Sequence, residues 1–344
     1  MLGYARIIAT HRWDGFIPDQ PPASSQHRIM RILVTGSRGF IGGTLGRMAA
    51  GAGHDLLGIS LSSQSERDWI GGHLRADVSC ADLAPTIREF KPEVIFHAVG
   101  PASVPASFES PFEDFRIALL TWSHLLDCVR RSGQRPLIFF PSSAAVYGNP
   151  SRLPVDERGE IAPISPYGFH KAACELIGRE FAECFGLNLV ICRFFSVFGV
   201  AQRRLLVWEL FKQLKARPST IWLEGTGEET RDYLDIQDVG NAWLQLATKL
   251  PRHRTQGSCL TVNIAGGEET PVIDLAQTLR DMIAPRKRIR CHGAKRQGDP
   301  LRWCADVSLL RSLLPRWQPC PLQQSLAQCV TAWRGGNGAP TSRS

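Results

Sequence analysis

The chain has 344 residues, of which 43% are hydrophobic and 21% charged, and it carries a formal charge of +8. That balance excludes a disordered chain, and the length suits one domain with an appended lobe or two closely joined domains. No run reaches the roughly 18 apolar residues a membrane helix needs. The basic residues are scattered apart from positions 286–290 and 203–204, so neither a membrane nor a nucleic acid is expected as partner.

Residues 1–29 hold Pro18, Pro21 and Pro22 and no amphipathic pattern. They read as a disordered tail, or as a non-native extension with Met30 as the working start, and they lack the apolar segment of a secretory signal. From Arg31 onward, short apolar runs alternate with longer helical stretches. Strands are expected at 31–35, 55–61, 74–77, 94–97, 137–141 and 189–193, and helices at 40–51, 111–131 and 166–184. This alternation predicts an α/β fold, a doubly wound parallel sheet of Rossmann type. Residues 30–194 would form the dinucleotide-binding domain. Residues 195–334, shorter in their elements and richer in Gly and Pro, would form a smaller substrate-binding lobe interleaved with the sheet, followed by a polar tail at 335–344.

The first strand runs into Gly36-Ser37-Arg38-Gly39-Phe40-Ile41-Gly42. Glycines there let the backbone pass close to a pyrophosphate, and the helix that follows points its free N–H groups at the anion. With a strand before it and an apolar-periodic helix after it, the turn is read as a nicotinamide dinucleotide site. An acidic residue at the end of the second strand would hold the ribose of NAD, but Ser60 stands there, with Leu61, Ser62 and Ser63 following. Arg38 offers a planar fork for a 2′-phosphate. The expected cofactor is NADP or NAD, with NADP slightly favoured. Asp77, followed by Val78, is placed to accept from the adenine amino group or else to cap the next turn.

Tyr167-Gly-Phe-His-Lys171 sets a phenol and an ammonium on one face of a predicted helix. A neighbouring cation favours phenolate and makes such a pair usable for proton transfer. About twenty residues upstream, Ser142-Ser143-Ala144-Ala145-Val146-Tyr147-Gly148 follows the fifth strand. Ser143 there opens into the crevice where such sheets bind ligands. Ser142 reads as a backbone cap and Tyr147 as a candidate substrate-side residue. The ten cysteines form no Cys-x-x-Cys pair and no metal-ligand spacing, so no metal is expected, and free thiols in a reducing, cytoplasmic setting are.

Gly36-x-x-Gly39-x-x-Gly42, Ser143-Ala-Ala-Val-Tyr-Gly, Pro163-x-Ser-Pro-Tyr167-Gly-x-x-Lys171, Arg193-Phe-Phe-Ser-Val-Phe-Gly199 and Thr230-Arg231-Asp-Tyr-Leu-Asp-Ile-Gln-Asp-Val239 occur in that order. Together they resemble the extended short-chain dehydrogenase/reductase family, also called the NAD-dependent epimerase/dehydratase family, over about residues 31–333. The resemblance implies a catalytic Ser143, Tyr167 and Lys171. It also implies cofactor contacts from the glycine loop, Asp77, Ala98, Val99 and Phe194, a nucleotide-sugar substrate whose diphosphate meets Arg231, and a homodimer built on the helices at 111–131 and 166–184. The chain departs from the family pattern at Ser196, where an asparagine usually meets the diphosphate. It departs again at Ala118, where an asparagine usually supports the lysine through the helix backbone, and at His170, where serine is common and little consequence is expected.

Family members epimerise, dehydrate or reduce nucleotide sugars. Dehydratases carry acidic residues just after the active-site hydroxyl, where Ala144 and Ala145 stand here, so dehydration is disfavoured. An NAD(P)-dependent nucleotide-sugar epimerase is expected, with an NADPH-dependent 4-keto-sugar reductase as the alternative and a catalytically inactive binding or scaffold protein as the alternative of another class.

Overall fold

Strands covered on both faces must be apolar along their length, and four of the five residues of β1 (Arg31–Thr35) are buried. The computed structural model describes residues 28–62, 71–251 and 257–335. The expected extension and tail lie outside these apart from Arg28, Ile29 and Gly335. After β1 come α1 (Phe40–Gly51), β2 (Asp55–Ser60), β3 (Gly72–Arg75), α2 (Ala84–Phe90) and β4 (Val94–His97). Then follow α3 (Val104–Glu109), α4 (Pro111–Phe115), a π turn (Arg116–Leu120), α5 (Thr121–Ser132) and β5 (Leu137–Ser143). A 3-10 turn (Ala144–Tyr147) leads towards α6 (Pro166–Phe185) and β6 (Asn188–Phe194).

With β11 (Ser258–Ile264) these strands form one sheet in the order β11-β6-β5-β4-β1-β2-β3, parallel throughout. The chain leaves β1 towards β2 and later returns on its other side as β4. That reversal opens a crevice at the carboxyl ends of β1 and β4. One face of the sheet is packed by α1 and by α8 (Ile236–Lys249), whose buried Trp243 stacks on Phe96 at 5.0 Å. The other face carries α2, α5 and α6 around Trp122.

Beyond β6 the chain forms β7 (Ser196–Phe198), α7 (Leu205–Lys215), β8 (Thr220–Leu223), β9 (Thr230–Arg231) and β10 (Tyr233–Asp235). β12 (Thr270–Pro271), α9 (Val272–Ile283), β13 (Arg288–Cys291), α10 (Ser308–Leu313) and α11 (Leu322–Arg334) come after β11. The pairs β7–β10, β8–β13 and β9–β12 are separate two-stranded sheets. α7, α9 and α11 enclose a third apolar cluster with β8 and β10.

The expected boundaries of β1, α1 and β4 match the observed ones. The third strand lies two residues earlier than expected, so Asp77 falls beyond it. The single helix expected over 111–131 is broken by the π turn. All ten cysteines are free.

Asp235 caps α8, accepting from the Gln237 N–H at 2.8 Å. Burial raises its carboxyl pKa to about 6, with the cap bond opposing and Asp238 adding to the rise. A raised folded pKa gives stability that is complete below the unfolded value of 3.8 and is lost as pH rises through about 6. Asn caps equally well and carries no charge. Asp235→Asn should therefore stabilise the protein by about 1–3 kcal/mol at pH 7.5 and by nothing at pH 4, read by urea unfolding at both pH values.

Candidate active site

The glycine turn is held by contact with the residues just past β4. Gly36 has φ +67°, and a Cβ there would stand 2.5 Å from the Ala98 carbonyl oxygen, so no other residue fits. Gly39, the residue before α1, donates its N–H to Gly36 O at 2.8 Å. It gives α1 no side-chain cap, and no acidic residue occupies the first helical turn. The N–H groups at this helix start remain for an anion. Ser37 Oγ, buried beside them, has no protein partner. These features fit the pyrophosphate of a dinucleotide.

A cleft of about 450 Å³ opens from this turn. Gly36, Arg38 and Gly39 line it on one side, Ser60, Asp77 and Val78 on another, and Ala98 and Val99 just past β4. Phe40 and Ile41 turn into the core, and Gly42 packs against Gly36 O and Ala98. Ser60 Oγ donates to Ser62 O at 3.1 Å and contacts His73 Nε2 at 3.0 Å. Burial, then the charge of Arg38, lowers the pKa of His73, and Arg38 and Ser60 line the same cleft. Asp77 Oδ1 accepts from both the N–H and the hydroxyl of Ser79, so it closes a turn while lining the cleft. Glu113, Arg116, Ile117 and Thr121 also line it. Of these, Arg116 and Ile117 lie in the π turn, which a helical period of 3.6 does not reveal.

At the other end of the crevice, α6 starts on a Ser165 cap, which accepts from Gly168 N at 3.1 Å, with Pro166 in the first turn. A second tie fixes this end: Tyr167 N–H donates to Ser107 Oγ at 3.1 Å. Lys171 follows one turn later and is 4% exposed. Its Nζ donates to Pro141 O at 2.7 Å and lies 5.6 Å from the centre of the Tyr167 ring. It stands 3.8 Å from where a Cβ of Gly100 would be, just past β4. Ser143, at the end of β5, accepts from Ala145 N at 3.1 Å, so its hydroxyl hydrogen is left to donate elsewhere. Gly168 packs so closely on Ala145 O, 2.6 Å from an added Cβ, that the start of α6 is pressed against the turn following Ser143.

Several expectations are corrected. Tyr147 does not face a substrate: it is 1% exposed, donates to Asn263 Oδ1 at 2.7 Å and accepts from Arg193 Nη1 at 2.9 Å. Burial pushes its phenol up to about 12, against the pull of Arg193. The capping serine is Ser143, whereas Ser142 donates to Glu175 Oε1 at 2.5 Å. The Phe194 ring packs on Trp243 at 5.3 Å and is 6% exposed, so only its backbone is left at the sheet end. Arg231 pairs with Asp299, with its guanidinium over the Trp303 ring. Ser196 pairs through its backbone N–H with Asp232 O. Ala118 lies in the π turn, its carbonyl accepting from Cys174 Sγ at 3.6 Å. His170 has more consequence than expected, since its Nδ1 meets buried Asp114 at 2.5 Å.

The fold and this site define a dinucleotide-binding enzyme of the doubly wound class. Residues 32–265 match the model of the NAD-dependent epimerase/dehydratase family, and the chain belongs to that family. It is 28% identical to the UDP-glucose 4-epimerase of Mycolicibacterium smegmatis over 89% of this chain and 99% of that protein. Two solved structures, each 25% identical, are similar. UDP-glucose 4-epimerase from Thermotoga maritima with UDP-glucose has a TM-score of 0.78 and coverage of 90% and 100%. The Thermus thermophilus enzyme in complex with NAD has a TM-score of 0.76 and coverage of 89% and 99%. No helix among the described residues is long and apolar enough to cross a membrane, and no group of side chains among them is suited to hold a metal.

Beneath the site, Glu175 on α6 grips Arg193 with two bonds of 2.9 and 2.7 Å, both side chains buried. Removing one partner leaves an uncompensated buried charge. Glu175→Gln should destabilise the protein by about 3 kcal/mol, while a Glu175→Leu/Arg193→Leu double variant should lose less than either single Leu variant, as measured by chemical denaturation.

Proposed function

We propose that this protein interconverts nucleotide sugars epimeric at one carbon, with Ser143, Tyr167 and Lys171 as its working residues. The observation that carries the reading is the buried Lys171 ammonium held between Pro141 O, Gly100 and the Tyr167 ring at the carboxyl end of the sheet. A bound nicotinamide dinucleotide supplies reversible hydride acceptance. Tyr167 takes the proton of the sugar hydroxyl and later returns it, and Lys171 lends its charge to the phenolate. Ser143, accepting from Ala145 N, directs its hydroxyl hydrogen at the same sugar oxygen. Ala144 and Ala145, both buried, offer no base for proton removal from carbon, which speaks against dehydration.

Among the solved relatives, the Thermus thermophilus enzyme holds NAD, and epimerisation requires a cofactor that stays bound through both hydride transfers. We therefore take NAD as the cofactor, in place of the expected slight preference for NADP. One observation favours a second reading, an NADPH-dependent keto-sugar reductase: the end of β2 carries neutral Ser60 with Arg38 nearby in the cleft. Purified protein should release NAD on denaturation, identified by mass spectrometry, and should interconvert UDP-glucose and its 4-epimer without added cofactor. Tyr167→Phe should keep NAD and lower kcat by about 10³-fold. An empty site that consumes added NADPH with a keto-sugar nucleotide would replace this reading with the second.

The homodimer is part of the same proposal. Phe112 and Phe115 on α4 and Phe169 and Leu176 on α6 form an exposed apolar face, with Phe112 74% and Leu176 62% exposed. Phe169 and Leu176 are two turns apart and share one side of α6. Patches of this kind mark interfaces. Sedimentation should show a dimer for the wild type and a monomer for Leu176→Glu.

A further inference from the structure

One buried imidazole beside the site has no role in the reaction described so far. His97 ends β4 and is completely buried, and the two residues after it, Ala98 and Val99, line the cleft. Its Nδ1 shares a 2.9 Å hydrogen bond with Thr35 Oγ1 on β1. The rings of Trp122 and Phe140 enclose it at 5.2 and 6.2 Å, the second nearly parallel. Neither ring can satisfy Nε2, because Phe140 has no polar atom and the Trp122 N–H goes to Cys174 O at 2.9 Å. Nε2 thus meets no protein donor or acceptor. Burial, then the charge of Lys171, lowers the His97 pKa to about 3, so the ring is neutral. Lys171 is the one charge that perturbs it among the described residues.

Lys171, whose charge reaches this ring, has donors to spare. Its ammonium has three N–H donors, and Pro141 O takes one. Its Nζ lies over Phe140 at 5.0 Å, the same ring that stacks on His97. A buried polar atom without a protein partner is met by an ordered water when a second polar group stands near enough to share it.

We propose that His97 is a positioning residue for the Tyr167–Lys171 pair, acting through a buried water that bridges its Nε2 to Lys171 Nζ. The water fixes the ammonium beside the phenol, and the Thr35 bond fixes the ring. This inference rests on the reading of Tyr167 and Lys171 as the proton-handling pair.

Two substitutions separate the ring nitrogens. Asn at position 97 keeps a polar atom near the place of Nδ1 and lacks one near Nε2, whereas Gln reaches the place of Nε2. In the NAD-bound protein, His97→Asn should lower kcat for UDP-glucose about tenfold with KM unchanged. It should also move the acid limb of the kcat profile up by about one pH unit. The phenolate absorbance of Tyr167, isolated by subtracting the Tyr167→Phe spectrum, should move to higher pH by a similar amount. The protein has four tyrosines, and burial raises the Tyr147 and Tyr233 phenols, which keeps their signals apart. His97→Gln should restore both readouts. Unchanged profiles in His97→Asn, or a loss that Gln does not repair, would overturn the proposal. If the Asn variant does not fold, the Gln variant decides, since it must then fold and titrate as the wild type does. The phenolate titration needs no sugar. A wild type inactive on UDP-glucose whose titration still moves in His97→Asn would therefore sink the proposed reaction and leave the role of His97 standing.

Discussion

A positive charge buried at the end of a parallel sheet is the constraint around which the site is arranged. Lys171 is taken almost wholly out of water, at a desolvation cost that only close polar and aromatic partners offset. Pro141 O, the face of Phe140 and the Tyr167 ring supply those partners. Each lies on an element whose placement is independently fixed: β5 in mid-sheet, and α6 by its Ser165 cap and by Ser107. The ammonium sits beside Gly100, just past Ala98 and Val99, the residues after β4 that line the cleft.

Much of this was legible from residue order because the signals are local. A strand buried on both faces, a glycine turn and an uncapped helix start are spelled out within twenty consecutive residues, and β1 and α1 end where their patterns end. Tyr167 and Lys171 are one helical turn apart, so their pairing needed only the helix. Tyr147, by contrast, is committed by Asn263, more than a hundred residues away, and by Arg193. Nothing in its own neighbourhood distinguishes a buried phenol from one facing a ligand. Ser142 and Ser143 differ only in which side of β5 they face, and that depends on Glu175 arriving from α6.

The π turn shows a different limit. Residues 111–131 carry a continuous helical pattern, and one widened turn in the middle is invisible to a period of 3.6. Yet that turn is what brings Arg116 and Ile117 to the cleft. It also places the Ala118 carbonyl against the Cys174 thiol, where helix–helix contact takes up the backbone group. The family's asparagine is absent at this position, and the distortion is present without it. The distortion therefore does not require an asparagine side chain at position 118.

The same buried lattice connects the two halves of the chain. Arg193, at the end of β6, is bonded to Glu175 on α6, to Tyr147 after β5 and to the Glu157 carbonyl. Tyr147 continues to Asn263 on β11, whose own amide reaches Val155 and Asp306. Polar groups without access to water tolerate little misalignment, because each displaced partner leaves another unmet. Moving the carboxyl-terminal elements relative to α6 would break several such bonds at once. Outside this lattice, Asp299, whose side chain is 39% exposed, pairs with Arg231. Arg231 itself is buried against Trp303. The Arg231–Asp299 pair shares no side chain with that lattice, so breaking it leaves the lattice's bonds intact.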